Sequence, residues 1–259
     1  MHCALTIAGS DCSSGAGIQA DLKTFQHFRI HGLTAVTCVV SETAELVNHV
    51  HPVPVEILRD QISLLFSSFP VAAVKTGMLF SAGHVRATAE TFRSHPDVKL
   101  VVDPVMIASS GSPLLEPDAI AVYEEKLLPL ATLITPNLPE AEHLSGWKIS
   151  SEAGLEAAAI ALSEKYRTAI LVKGGHLDSA DCLDILAIGN TVHHFRSPRI
   201  ATTASHGTGC TLSAAITALL ALGHELPAAI AKAKAYLEET LRHSYTLGSI
   251  PCLNQGTTF

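Results

Sequence analysis

Short apolar runs rich in β-branched residues alternate along this chain with segments of helical periodicity. Val71-Ala72-Ala73-Val74, Leu100-Val101-Val102, Thr132-Leu133-Ile134 and Ala169-Ile170-Leu171-Val172 predict buried strands. The segment from Met1 to Ala8 predicts a first strand. A helix follows from about Gly15, with Ile18, Leu22 and Phe25, then Phe28 or Arg29, at three- and four-residue spacing. Pro227 opens a helix rich in Ala, Lys and Glu that runs to about Tyr245, and the tail after Gly248 reads as irregular. Cys182 to Leu186 and Thr191 to Phe195 flank Gly189-Asn190, a suitable turn pair, and predict a hairpin. This rhythm predicts an α/β fold, a mostly parallel central sheet covered by helices on both faces. No linker, repeat or low-complexity segment divides the chain, so residues 1–259 read as one domain with an irregular tail from about 247.

Composition supports that reading. Hydrophobic residues make up 47% of the 259 and charged residues 16%, the balance of a chain with many doubly buried strands. A net charge of -7 and a pI near 6.0 speak against a nucleic-acid surface, which needs clustered cations. Any phosphate must therefore be held locally, by backbone amides, a helix terminus, single lysines and a divalent cation. The uncharged stretch from Ile200 to His224 is interrupted by Thr203, Ser205, His206 and three glycines. Its apolar part, Cys210 to Leu222, is shorter than the roughly 20 residues of a membrane span and reads as a buried helix. The N-terminus lacks the basic region of a signal peptide, and six scattered cysteines form no C-x-x-C pair, which together predict a reducing, cytoplasmic setting.

In an open α/β sheet, ligands sit beyond the carboxyl ends of the strands, which directs attention to the loops after Ala8, Thr76, Val102, Thr135 and Val172 and to the segment before Gly207. Ser205-His206-Gly207-Thr208-Gly209-Cys210-Thr211-Leu212-Ser213 leads into an Ala- and Leu-rich helix. Its glycines can turn successive amides inward where the helix dipole adds about half a positive charge, which makes an anion hole; the alternative is a plain loop capped by Thr208 or Thr211. Asn137 and Glu140 lie one turn apart after a predicted strand, as oxygens for a hydrated Mg²⁺ or as a helix cap. Asp103 ends another strand and either orients Mg²⁺ water or bonds the next loop. Lys173, in Lys173-Gly174-Gly175-His176, is placed to reach a nucleotide phosphate, while for Lys75 a neighbouring carboxylate is the stronger expectation. The glycine spacing from Gly9 to Gly17 is wrong for a dinucleotide fingerprint. His49, His51, His193 and His194 read as surface or packing residues, Cys3 and Cys38 as strand fillers, and Trp147 as packing.

In this order the segments resemble the hydroxymethylpyrimidine/phosphomethylpyrimidine kinases of thiamin synthesis, within the ribokinase-like superfamily. The likeness runs from Leu5 to about Tyr245. It rests on Gly15-Ala16-Gly17-Ile18-Gln19-Ala20-Asp21-Leu22-Lys23-Thr24, Val74-Lys75-Thr76-Gly77-Met78-Leu79, Asp103-Pro104-Val105-Met106, the stretch from Leu133 to Ala141, Val172-Lys173-Gly174-Gly175-His176, and His206 to Ala214. The resemblance implies a three-layer α/β/α sandwich, a homodimer, and transfer of phosphoryl from ATP with Mg²⁺ to the pyrimidine alcohol and, in many members, to its monophosphate. It implies that Gly9, Asp21, Glu42, Met78 and Val105 line the pyrimidine pocket, and that Asp103, Asn137 and Glu140 serve Mg²⁺ and phosphates, with Asp103 and Glu140 nearest the metal. Lys173, Lys234, Asn137 and His206 would face the nucleotide, and Gly207, Thr208 and Gly209 the transferred group.

Other ribokinase-like enzymes place an Asp where this chain has Cys210, so Cys210 is either a base or, the preferred reading, a group that positions the alcohol. Two places depart from the family pattern: Cys12 and Ser14 replace Pro and Gly, and Glu42-Thr43-Ala44 replaces Gln-Asn-Thr or Glu-Asn-Thr. A pyridoxal-type kinase on the same fold and a catalytically silent precursor-binding module are the competing readings.

Overall fold

The structure, a computed structural model, describes residues 1–106, 114–175, 177 and 181–256. Its elements in chain order are β1 (Cys3–Asp11), α1 (Gly17–His27), β2 (His31–Glu42), β3 (Val47–Pro52), α2 (Val55–Ser68), β4 (Val71–Thr76), α3 (Ala82–Ser94) and β5 (Lys99–Val102). There follow α4 (Pro117–Val122), a π-helical turn (Tyr123–Leu127), a 3₁₀ turn (Leu128–Leu130), β6 (Leu133–Ile134), α5 (Leu138–Ser145) and α6 (Glu152–Tyr166). The chain closes with β7 (Ala169–Lys173), β8 (Asp181–Ile188), β9 (Thr191–Pro198), α7 (Thr208–Ala221), α8 (Leu226–Arg242), β10 (Tyr245–Leu247) and β11 (Ile250–Cys252).

Among the described residues, nine strands form one sheet in the order β3-β2-β1-β4-β5-β6-β7-β8-β9. The six from β2 to β7 are parallel, while β3 at one end and the β8–β9 hairpin at the other are antiparallel. Successive strand residues point to opposite faces, and here both faces are apolar. Leu5, Ile7, Val74, Leu100, Val102, Ile134, Ile170 and Val172 pack with residues of α2, α3, α4, α5 and α6. Ala4, Ala73, Val101, Leu133 and Leu171 face the other way, against Phe25 of α1 and the buried faces of α7 and α8. This is the expected three-layer sandwich, and Cys3 and Cys38 are buried in its strands.

Three local expectations are corrected. α1 starts at Gly17, and Phe28, which rests edge-on against Tyr236, takes the inner position rather than the exposed Arg29. α8 stops at Arg242, and the tail is not irregular throughout: Tyr245–Leu247 pairs with Ile250–Cys252 around Gly248, whose φ of 61° suits the turn. Trp147 is 43% exposed and does not pack in the core. The stretch from Ile200 to His224 contains α7, ten of whose fourteen residues are buried, and no helix among the described residues is long and apolar enough to cross a membrane.

Candidate active site

The carboxyl ends of the parallel strands open into a cavity of about 710 Å³. One end is walled by Gly9, Val40, Glu42, Met78 and Val105, and the other by Asp184, Ser197, Ile200, Lys234, Leu237 and Leu241. The N-terminus of α7 lies between them. A register shift between Ala8 and Ser10 marks Gly9, and a Cβ there would stand 2.9 Å from Cys38 Sγ, so the pocket wall has no room for a side chain at this position.

Gly207 begins α7 in the left-handed region, at φ 81°, and any Cβ at that position would overlap the Gly15 carbonyl. Neither threonine caps the helix: Thr208 Oγ1 donates to Ser205 O at 2.9 Å, and Thr211 is buried and accepts from Gln255 Nε2 at 3.4 Å. The first turn carries no acidic side chain, and no side chain caps the end, so its positive pole faces the cavity. Cys210 stands in this turn. Burial pushes its thiol up to about 11 despite the nearby Lys75 ammonium, so it is protonated at neutral pH.

Along the cavity lining, three lysines from strand ends and α8 each meet a carboxylate. Lys75 Nζ lies 2.9 Å from both oxygens of Asp21, which also accepts from Thr6 Oγ1 at 2.6 Å. Burial works against the Lys75 charge, but Asp21 beside it lifts the lysine above its ordinary value. Asp21 and Lys75 are both fully buried, but Lys75 borders the cavity and Asp21 does not, so Asp21, expected on the pyrimidine wall, stands behind it and balances Lys75 from α1.

Lys173 Nζ lies 2.9 Å from Asp103 Oδ1, and Asp103 also accepts from Thr135 at 3.3 Å and Ser213 at 3.2 Å. Burial alone would raise the Asp103 carboxyl; Lys173 and Lys75 hold it below the ordinary carboxylate value. Lys234 Nζ lies 2.6 Å from Asp184 Oδ2, whose other oxygen accepts from the Gly174 amide at 3.0 Å. His176 lies outside the described residues.

Asn137 and Glu140 form a reciprocal capping box on α5: Asn137 Oδ1 accepts from the Glu140 amide and Glu140 Oε2 from the Asn137 amide, both at 2.9 Å. The helix-cap alternative is thus realised, although both residues line the cavity. Glu140 Oε1 accepts from the Met106 amide at 3.3 Å, and burial raises its carboxyl against the pull of Lys173. Among the described residues no group of three or more His, Cys, Asp or Glu side chains could hold a metal ion by itself. Asp103 and Glu140 fit a different donor set, in which Mg²⁺ keeps water and nucleotide-phosphate ligands and the protein adds one or two carboxylates.

On the opposite wall, burial, with Asp11 adding to it, raises Glu42 to about 7. Val105 holds φ at 40°, a costly conformation for a β-branched residue, and it borders the same wall. His206, expected at the nucleotide, lines the cavity but gives Nε2 to Asp11 Oδ2 at 3.0 Å. His49 and His51 are exposed on β3, and His194 meets Glu156 at 2.8 Å.

Sequence reasoning passed over Asp11 and Asp184. Asp184 carried a signal, a lone carboxylate inside the apolar run Leu183 to Ile188; Asp11 sat in a loop judged only against the dinucleotide fingerprint.

The chain is similar to known proteins over most of its length. The chain is 45% identical over 244 residues to the thiamine biosynthesis bifunctional protein of Geobacter sulfurreducens, covering 94% of this chain and 50% of that protein. It is 42% identical over 248 residues to the hydroxymethylpyrimidine/phosphomethylpyrimidine kinase of Haemophilus influenzae, covering 94% of this chain and 92% of that one. The ADP complex of Bacillus subtilis pyridoxal kinase superposes with a TM-score of 0.91 at 37% identity, over 98% of this chain and 97% of the other. The model of the phosphomethylpyrimidine kinase family matches residues 11–253, and the chain belongs to that family.

Proposed function

We propose that this chain transfers the γ-phosphoryl group of ATP to the hydroxymethyl oxygen of 4-amino-5-hydroxymethyl-2-methylpyrimidine, and then a second phosphoryl group to the monophosphate, as a cytoplasmic homodimer in thiamin synthesis. The observation that carries this reading is the uncapped N-terminus of α7 midway along a cavity with a small, largely apolar wall at one end and a lysine-bearing compartment at the other. Gly9, Val40, Met78 and Val105 suit a flat heteroaromatic ring, and Glu42 suits its amino edge. Lys173 and Lys234, with Asn137 close by, suit the nucleotide side.

The amides of Gly207, Thr208 and Gly209 would take the charge that develops on the transferred group, and Cys210, as a thiol, would orient the attacking oxygen. Phosphoryl transfer through a loose transition state demands little of a base, which agrees with a protonated Cys210. The lining holds Lys75, Lys173, Arg199 and Lys234 against Glu42, Asp103, Glu140, Asp184 and Glu238, so its cations do not outnumber its carboxylates. A polyphosphate entering such a cavity needs its own counter-ion, and Asp103 and Glu140 are the residues that would hold Mg²⁺. When bound there, that ion would supply positive charge to offset the phosphates.

A second reading, a pyridoxal kinase, is favoured by the close superposition on the Bacillus subtilis enzyme. ADP release with Mg·ATP, measured against hydroxymethylpyrimidine, its monophosphate, pyridoxal and pyridoxine with product masses recorded, separates the two. Turnover of both pyrimidines is expected. Turnover of the vitamers alone would move the assignment, and no turnover with any acceptor would leave a binding module.

A further inference from the structure

Two glycine-rich loops that lie 195 residues apart in sequence meet at one carboxylate. Asp11, at the end of β1, is only 1% exposed. Its Oδ2 accepts from His206 Nε2 at 3.0 Å, from the Gly15 amide at 3.0 Å and from the Ala16 amide at 2.8 Å, while Oδ1 accepts from the Ser13 amide at 2.7 Å. Burial alone would raise this carboxyl, but the His206 bond and the amides bring it down to about 2, so it is ionised across the working pH range.

The loops also interlock sterically. A side chain at Gly15 would run into the His206 ring, and one at Gly207 would run into the Gly15 carbonyl. Gly17, Ala16 and Gly9 belong to the acceptor side of the cavity, whereas Gly207 to Gly209 form the anion-hole turn.

We infer that Asp11 is a positioning residue for the reaction: through His206 it locks the anion-hole turn of α7 onto the loop after β1, so that the phosphoryl group and the acceptor alcohol are held in one frame. The part of this inference that concerns the reaction rests on the kinase reading; the clasp itself does not. It also explains why His206 is better occupied here than at a phosphate, because its Nε2 is already engaged.

The clasp has a second readout at Glu42. The groups facing this carboxyl are Asp11 from β1, His206 from the loop before α7, Cys38 on its own strand, and Cys12, whose Sγ lies 3.3 Å and 3.4 Å from the Glu42 backbone oxygen and nitrogen. Asp11 raises Glu42 and His206 lowers it, so replacing one or the other by Asn moves the Glu42 limb of a pH profile in opposite directions.

The test compares Asp11→Asn, His206→Asn and the double variant by amide hydrogen exchange and by steady-state kinetics over pH. Each single variant should speed exchange in both segments, 12–16 and 205–209. Each should lower kcat by about tenfold to a hundredfold with KM for ATP within about threefold. The double variant should be within about twofold of the worse single one, because both remove the same clasp. Asp11→Asn should shift the Glu42 limb to lower pH and His206→Asn to higher pH. Losses that multiply in the double variant, exchange changes confined to the mutated loop, or an unchanged kcat in Asp11→Asn would overturn the inference. Should Asp11→Asn fail to fold, His206→Asn removes the bond between loops while leaving Asp11 and its amide partners in place, and carries the same comparison. If the wild-type chain turns over no alcohol, the kinase reading falls, and the exchange data still decide the clasp.

Discussion

Cys210 enters the cavity as a thiol, since burial holds it at about 11 even with Lys75 near. A thiol held protonated at pH 7 is poorly suited to be the base on which turnover depends. Cys210→Ala should therefore cost less than about threefold in kcat, measured at saturating ATP and acceptor, and a loss of a hundredfold or more would restore it as an essential base. Glu42 is the opposite case. Its folded value of about 7 lies above the ordinary 4.5, so the carboxyl is protonated below about 7 and ionises above it. Only the protonated form both donates to and accepts from an aminopyrimidine edge. The expected kcat/KM for the acceptor therefore falls as pH rises through about 7, and Glu42→Gln should flatten that limb while leaving KM for ATP unchanged. At this scale the sequence was informative about which residues gather at the cavity, and less so about which of them face it. Asp21 and Lys75 were both in view, and both are fully buried; only the shape of the cavity, which Lys75 borders and Asp21 does not, shows which of them stands in front.

Helix ends carry the chemistry at the level of elements, and two left-handed glycines show how differently such ends are constrained. Gly207, at the start of α7, has φ 81° and no room for a Cβ; Gly146, at the end of α5, has φ 84° and nothing within 4 Å of that position. Gly146→Ala should cost about 1 kcal/mol in thermal or denaturant unfolding and leave turnover within twofold. Gly207→Ala adds a collision with the Gly15 carbonyl to a similar backbone strain, and should lower kcat by about a hundredfold or more by displacing the anion-hole amides. Several elements were legible, though most of their bounds were not and β2 and β3 were not singled out: buried strands announce themselves by short apolar runs, and the β8–β9 hairpin by Gly189-Asn190. β10 and β11 were not, because a three-residue pairing with exposed or half-buried side chains has no hydrophobic period to read.

Across the whole molecule, the ion pairs Lys75–Asp21, Lys173–Asp103 and Lys234–Asp184 tie strand ends, α1 and α8 around one cavity. Lys173→Met should raise KM for ATP, and it should also destabilise the fold by about 3–5 kcal/mol, because Asp103 is left buried without its cation. Adding Asp103→Asn should recover much of the stability in a thermal unfolding assay without recovering activity. Since the cavity's own cations do not exceed its carboxylates, chelating divalent ions should lower turnover by about a hundredfold or more, with recovery on adding Mg²⁺. The sequence by itself determined the layered α/β architecture, the site's place at the carboxyl ends of the strands, and the helix N-terminus that can hold an anion. These follow from local periodicity and from residues adjacent in the chain. Only the tertiary structure decided the pairings: which lysine meets which aspartate, that Glu42 sits where burial raises it, and that Asp11 reaches His206. Each depends on groups tens to hundreds of residues apart, brought within hydrogen-bond distance by strand order, and no local pattern encodes that order.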